Sequence, residues 1–225
     1  MALVKKIKDR KVNIEFNKEF IKVINEKIKN QDTDFLAKSL KELLPADSAD
    51  IIENLSSENR SKLIELEGFN IVPEIFVELN ESIQTEIFLL LSVESIASLL
   101  KKLESDNALK IFENLDKSKK ETVLNKLPPK DRFLLEEGLS YPQDTAARIM
   151  QREFTAIPSN WSVGQTIDYL RENKDLPDDF LEIFIVDSDF KPIGTVPSSK
   201  VLRTARESKM NLIMREMQVL IPVNM

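Results

Sequence analysis

The chain has 225 residues, enough for one large or two small domains that each bury a core. It has no cysteine and no histidine, which excludes disulfides, thiol nucleophiles, imidazole bases and zinc sites built on those residues, so a bound metal must take oxygen ligands, as Mg²⁺ or Ca²⁺ does. The net charge of -6 is uneven: residues 1–30 carry 9 basic and 4 acidic side chains, residues 45–116 carry 5 basic and 15 acidic, and an acidic middle argues against nucleic-acid binding.

Residues 1–33 read as a basic N-terminal helix or extension. The start, MALVKKIKDRKV, lacks the apolar stretch of a signal peptide. Its lysines fit a solvated helix face, with contact to an anionic membrane surface as the other reading. No apolar run approaches the roughly 18–20 residues of a membrane span, so the chain as given is expected to be soluble and cytosolic.

Residues 16–138 read as a string of short helices. Leu36, Leu40, Leu43 and Leu44 form one apolar stripe at helical spacing, and Ile51, Ile52 and Leu55 a second. Further stripes are Leu63, Ile64 and Leu66; Ile75, Phe76 and Leu79; and Ile83, Ile87, Leu90 and Leu91. Ile96, Leu99, Leu100 and Leu103 follow, then Ile111, Phe112 and Leu115, then Leu124 and Leu127. Pro45, Ser57, Ser92, Ser105 and Asp116 mark helix starts, and Gly68 and Gly138 fit C-terminal positions. Helices this short must stack to be stable. The run Ile51-Ile52-Glu53-Asn54-Leu55 returns as Ile111-Phe112-Glu113-Asn114-Leu115, and more weakly as Ile75-Phe76-Val77-Glu78-Leu79, which suggests a superhelical stack.

After a polar link at Pro142 and Asp144 and a short helix ending near Met150, the period changes. Phe154–Ile157 reads as a strand stopped by Pro158. Ser162 and Gln165 make a capping box for a helix over Val163–Arg171. Leu181–Val186 is the most strand-like run; Asp187-Ser188-Asp189 turns it, and Pro192–Val196 returns as its hairpin partner. A helix starts at Ser198, and Met217–Val223 reads as one more strand.

The segments LLPADSADIIENL, LESDNALKIFENL and LPPKDR, with the seam SYPQDTA at residues 140–146, resemble the cytosolic part of the MgtE-type magnesium channels. The likeness covers residues 34–225. It implies a helical N-domain at 34–141, then a small α/β CBS domain at 142–225 in which the second CBS motif is cut off after its opening strand. It further implies a magnesium-sensing region in which bound Mg²⁺ draws acidic surfaces of the two domains together and shuts the pore. Two acidic surfaces repel until a divalent cation bridges them, so the closure becomes metal-dependent.

By the same resemblance, Glu74 and Asp106 are the metal candidates. Without it, both are solvated acids, and Asp106 simply favours a helix N-terminus. The chain departs from the family pattern at Asn107 and Lys110, where acids are usual, so weak Mg²⁺ binding is expected. The seam departs too, with Ala147-Arg148 in place of two glycines, which disfavours a close backbone approach to a metal. The CBS nucleotide signature would place a hydroxyl and a carboxylate where Pro197 and Lys200 follow Gly194, so no nucleotide is expected there. Asp187 and Asp189 fit a turn better than a cation site, Trp161 fits packing, and Lys200 with Arg203 fits an exposed helix face rather than a phosphate site.

No glycine-rich phosphate loop is present, with only 4 glycines, and no catalytic constellation is marked out, so the chain is not read as an enzyme. The leading function is the regulatory region of a magnesium transporter at the cytoplasmic face of the membrane, partnered by that transporter's membrane domain and by a second copy through the CBS half. The alternatives are a stand-alone CBS ligand sensor and a helical interaction scaffold like the flagellar-motor switch proteins.

Overall fold

In the computed structural model, residues 14–67, 71–177, 179–217 and 219–225 are described. Most of the basic leading segment and Gly68 therefore lie outside the described residues. The chain divides into two compact units, residues 1–139 and 140–225.

The first unit is helical. Its elements are α1 (Ile14–Lys29), α2 (Thr33–Glu42), α3 (Pro45–Glu53), α4 (Ser57–Glu67), α5 (Pro73–Glu78), α6 (Glu81–Leu90), α7 (Val93–Lys102), α8 (Ser105–Glu113), α9 (Lys117–Lys126) and α10 (Pro129–Ser140). The start signals act as their chemistry dictates. Pro45 opens α3, and the side chains of Asn80, Ser92 and Asp116 accept amide hydrogens in the first turns of α6, α7 and α9. Helices one apart in sequence pack on each other repeatedly, α2 on α4, α3 on α5, α4 on α6, α5 on α7 and α7 on α9. That is the contact pattern of a stack, and it produces a continuous core from Phe20 to Leu135.

The echoed runs occupy equivalent places. Ile51 and Ile52, Ile75 and Phe76, and Ile111 and Phe112 are all buried, and Leu55, Leu79 and Leu115 close each helix. Five residues beyond each closing leucine stands a polar donor. Arg60 reaches Ile52 O and Leu55 O at 3.1 and 2.8 Å. Gln84 reaches Phe76 O and Leu79 O at 2.7 and 2.9 Å. Lys120 reaches Glu113 O at 2.9 Å. Each satisfies carbonyls that a helix end leaves open, using a side chain from the next helix, so the stack is joined by polar staples as well as apolar faces. Arg60 is itself buried and paired with Glu86.

Three expectations are corrected here. Leu44 and Leu90 leave their stripes: Leu44 precedes α3 at 60% exposure, and Leu90 ends α6 at 44%. Gly138 does not stop a helix but lies inside α10, where a Cβ would come within 2.9 Å of Leu109 Cδ2. Its hydrogen lets α10 press onto a core leucine, so close packing rather than a left-handed turn explains it.

The second unit contains α11 (Ala146–Ile149), β1 (Ala156–Pro158), α12 (Val163–Glu172), β2 (Glu182–Val186), β3 (Pro192–Pro197), α13 (Ser198–Arg203), α14 (Met210–Ile213) and β4 (Arg215–Glu216). The sheet runs β1-β2-β3-β4, with β1 parallel to β2 and the other pairs antiparallel. A crossover helix between parallel strands and a tight hairpin follow directly from the order of pieces. Ile157, Val163, Ile183, Ile185, Val196, Val201 and Met210 form its core. The capping box of Ser162 and Gln165 is formed.

Two strands move. β1 sits two residues later than Phe154, because pairing with β2 begins at Ala156 opposite Phe184. Val219–Val223 forms no strand among the described residues; the last strand is the earlier Arg215–Glu216, paired with Thr195 and Gly194. Val219, Leu220 and Ile221 are exposed.

Candidate functional site

Glu74 follows Pro73 in the first turn of α5 and is exposed. Val72, the N-cap residue of α5, contributes no side-chain cap, and an acid in a first helical turn is favoured by the partial positive charge of the amides there. Asp106 has the matching place in α8, whose preceding Glu104 also makes no side-chain cap. Asp106 is partly buried, and its Oδ1 is buried with no hydrogen-bond partner. Helices α5 and α8 pack against each other, so the two acids stand on neighbouring elements. An orphaned buried carboxylate oxygen suits a cation.

The rest of a metal site is not assembled. Among the described residues, no group of three or more acidic side chains is placed to hold an ion. Asn107 beside Asp106 is neutral, and Lys110 adds an exposed positive charge in the last turn of α8, where a helix C-terminus favours it. Two oxygen donors fall short of the six that Mg²⁺ prefers, so an ion held here keeps most of its water. The donor set does not fit a tightly held Mg²⁺.

The seam residues are otherwise engaged. Ala147 is buried, its amide donates to Val223 O at 3.1 Å, and Ala146 N donates to Met225 O at 2.7 Å. Arg148 Nη1 donates to Tyr141 O at 3.1 Å.

The nucleotide positions are likewise committed elsewhere. A Cβ on Gly194 would meet Arg215 O at 2.5 Å, so this glycine admits β4. Lys200 Nζ donates to Ile213 O at 2.7 Å, tying α13 to the end of α14 rather than standing free on an exposed face. The amides that open α12 are used up: Val163 N and Gly164 N donate to Ser208 O and Arg206 O, each at 2.8 Å. Arg206 also grips both carboxylate oxygens of Asp168 at 2.8 and 2.7 Å, which raises its already high pKa. Asp187 Oδ1 accepts amides of Asp189 and Lys191, both at 2.9 Å, which is turn chemistry. Trp161 packs edge-on against Tyr169.

One feature was not legible in the sequence. A groove of about 420 Å³ lies on the sheet unit, lined chiefly by Phe154, Phe184, Phe190, Pro192 and Met217, with Glu153 alongside. Phe154 and Phe184 meet edge to face at 5.9 Å. Phe184 alternates with the core residues Ile183 and Ile185 along β2, so the groove belongs to the other face of the sheet.

Residues 43–144 match the family described as the MgtE intracellular N domain. The fold is similar to the crystal structure of the soluble part of a magnesium transporter, with a TM-score of 0.76 and 21% identity over 91% of this chain and 80% of that one. It is also similar to the cytosolic domain of the Mg²⁺ channel MgtE in complex with ATP, with a TM-score of 0.79 and 20% identity over 89% of this chain and 82% of that one. No curated protein sequence matches the chain.

Proposed function

We propose, from the premise that residues 43–144 are an MgtE intracellular N domain, that the chain is the magnesium-sensing cytosolic region of an MgtE-type transporter. It performs no catalysis in this reading. Mg²⁺ at Glu74 and Asp106 offsets the charge of the acidic helical unit and favours its closure on the CBS-type unit, and closure restrains transport through a membrane domain of the same protein. The observation that carries the reading is the Asp106 Oδ1 left buried without a hydrogen-bond partner, on a helix packed against the one bearing Glu74. Few protein ligands and a nearby Lys110 make the affinity weak, of millimolar order. The Gly194 motif holds no nucleotide in this reading, since Lys200 stands in place of the carboxylate that would hold a ribose and is bound to Ile213 O. The second copy docks through the CBS-type half, where Leu181, Phe190, Leu202 and Leu212 are exposed.

The test is thermal unfolding across a wide Mg²⁺ range at constant ionic strength. A protein that binds the ion only when folded gains RT ln(1 + [L]/Kd), about 0.4 kcal/mol when ligand equals Kd. The wild type should rise in Tm and Glu74→Gln/Asp106→Asn should not. Equal shifts in both would assign the effect to general screening and remove these residues from the site. Light scattering at high micromolar concentration tests the dimer, and a monomer would refute it.

A further inference from the structure

Two carboxylates and one ammonium stand on three helices that pack on one another. Glu74 is in the first turn of α5, Asp106 in the first turn of α8, and Lys102 ends α7. Helix α5 packs on both α7 and α8, and α7 on α8. Asp106 follows four residues after Lys102, across the joint at Leu103 and Glu104. Lys102 also comes to the start of α5: it lines a void of about 10 Å³ with Ile71, Pro73 and Phe76 on one side and Leu99 of its own helix. That volume holds no more than about one water, so the void is a packing seam rather than a ligand cavity. Pro73 is the residue before Glu74, which sets the lysine stem against the turn that carries the acid.

Three lysines of the helical unit are held elsewhere. Lys119 Nζ donates to Phe88 O and Leu91 O at 2.6 and 3.1 Å, Lys120 Nζ to Glu113 O at 2.9 Å, and Lys126 pairs with Glu94 at 3.0 Å. Among the described residues the side chain of Lys102 makes no such bond, and it is exposed. Its neighbour Lys101 is exposed as well and shares the last turn of α7, where a cation complements the helix C-terminus. Successive residues of a helix point about 100° apart, and Lys101 does not line the seam with α5. The two lysines therefore share the helix end and differ in what they face.

We infer that Lys102 is a tethered competitor for the cation at Glu74 and Asp106 and so sets the Mg²⁺ concentration at which that site fills; the inference rests on the metal reading above. Without the ion, its ammonium offsets part of the repulsion between the carboxylates. When Mg²⁺ enters, the same ammonium is a like charge beside it, and its flexible stem lets it swing away to water. The test is Mg²⁺ titration by calorimetry at low, constant ionic strength, in wild type, Lys102→Gln, Lys102→Arg and Lys101→Gln. Lys102→Gln should tighten Mg²⁺ binding about two- to threefold, Lys102→Arg should keep the wild-type affinity, and Lys101→Gln should change it much less. Equal tightening in Lys101→Gln would reduce the effect to net charge and overturn the competitor, as would an unchanged affinity in Lys102→Gln. A second arm contains no Mg²⁺. There Lys102→Gln should lower Tm more in the wild type than in Glu74→Gln/Asp106→Asn, and the difference should fade in high salt. Absence of that coupling removes Lys102 alone, whereas equal Mg²⁺ binding by wild type and Glu74→Gln/Asp106→Asn removes the metal reading beneath it.

Discussion

The side-chain amide of Gln84 donates to the carbonyl oxygen of Leu79 at 2.9 Å, five residues back and across the turn between two helices. Its second bond, to Phe76 O at 2.7 Å, closes the same helix end, and its own oxygen accepts from Asn114 Nδ2 at 2.8 Å. One buried glutamine thus joins the second echo to the third.

Replacing it should be expensive for its size. Gln84→Leu keeps the volume and leaves two helix-end carbonyls in the core without donors, which costs about 2 kcal/mol. Thr85→Val, one residue on, removes only an exposed bond to Glu81 O and should stay within about 0.5 kcal/mol. Urea unfolding of both variants checks the pair. Equal losses would mean the staple carries no special weight.

The same staples explain why the helical half was readable in part. The apolar stripes and caps declare their own helices, because burial and capping are local choices. The donor role of Arg60, Gln84 and Lys120 was not visible, since three different side chains do one job and only their distance from the closing leucine is constant. Gly138 misled for a related reason: a glycine beside a loop suggests a turn, while its actual partner, Leu109, is a long-range contact. In the sheet unit, Val219–Val223 has strand composition and lacks a neighbouring strand to pair with, so propensity alone could not make it one. Glu74 and Asp106 were reachable only by resemblance, as nothing in their spacing marks them, and the open face bearing the groove depends on tertiary packing.

Gly138→Ala sets two effects against each other. Alanine is favoured by about 1 kcal/mol inside a helix. The new methyl would sit 2.9 Å from Leu109 Cδ2, and Leu109 is buried in the core, so it must shift at a cost of about 1–3 kcal/mol. The steric side should prevail, giving a net loss of about 1 kcal/mol. Combining it with Leu109→Val, which withdraws the offending methyl, should make the alanine neutral or stabilising relative to Leu109→Val alone. A double variant that simply adds the two losses would argue against this contact as the cause.

Asp32 supplies a pH signature. Lys27 Nζ bonds its carboxylate at 2.5 Å, and Phe35 N donates to it at 3.2 Å; the lysine first and the amide second hold its pKa below the ordinary 3.8. A carboxyl depressed on folding adds stability that is complete above its unfolded pKa and fades as pH falls through the folded value. Asp32→Asn keeps a capping oxygen and removes the charge. The stability difference between wild type and this variant should be level from about pH 7 to pH 5 and shrink below about pH 3.8, and it should diminish in high salt. A difference that grew on acidification would reverse the assigned sign.

Two residues weaken the proposed metal site. Asn107 adjoins Asp106, and Lys110 lies one turn further along α8, exposed. A divalent cation near Asp106 gains from each added carboxylate and loses from each ammonium, since charge count largely sets the affinity of oxygen-ligand sites. Asn107→Asp/Lys110→Glu changes the local charge by three units. Even screened by water, that change should tighten Mg²⁺ binding about tenfold, equivalent to about 1.4 kcal/mol. Without metal, the same substitutions should destabilise the chain slightly, because like charges crowd α8 and Lys110 no longer complements the helix C-terminus. The expected pattern is therefore a lower Tm in the absence of Mg²⁺ and a steeper rise as Mg²⁺ is added. Adding Asp106→Asn to this variant should flatten the rise again. If the steeper response survives that third substitution, the ion is held by the new charges alone, and Asp106 is not its ligand.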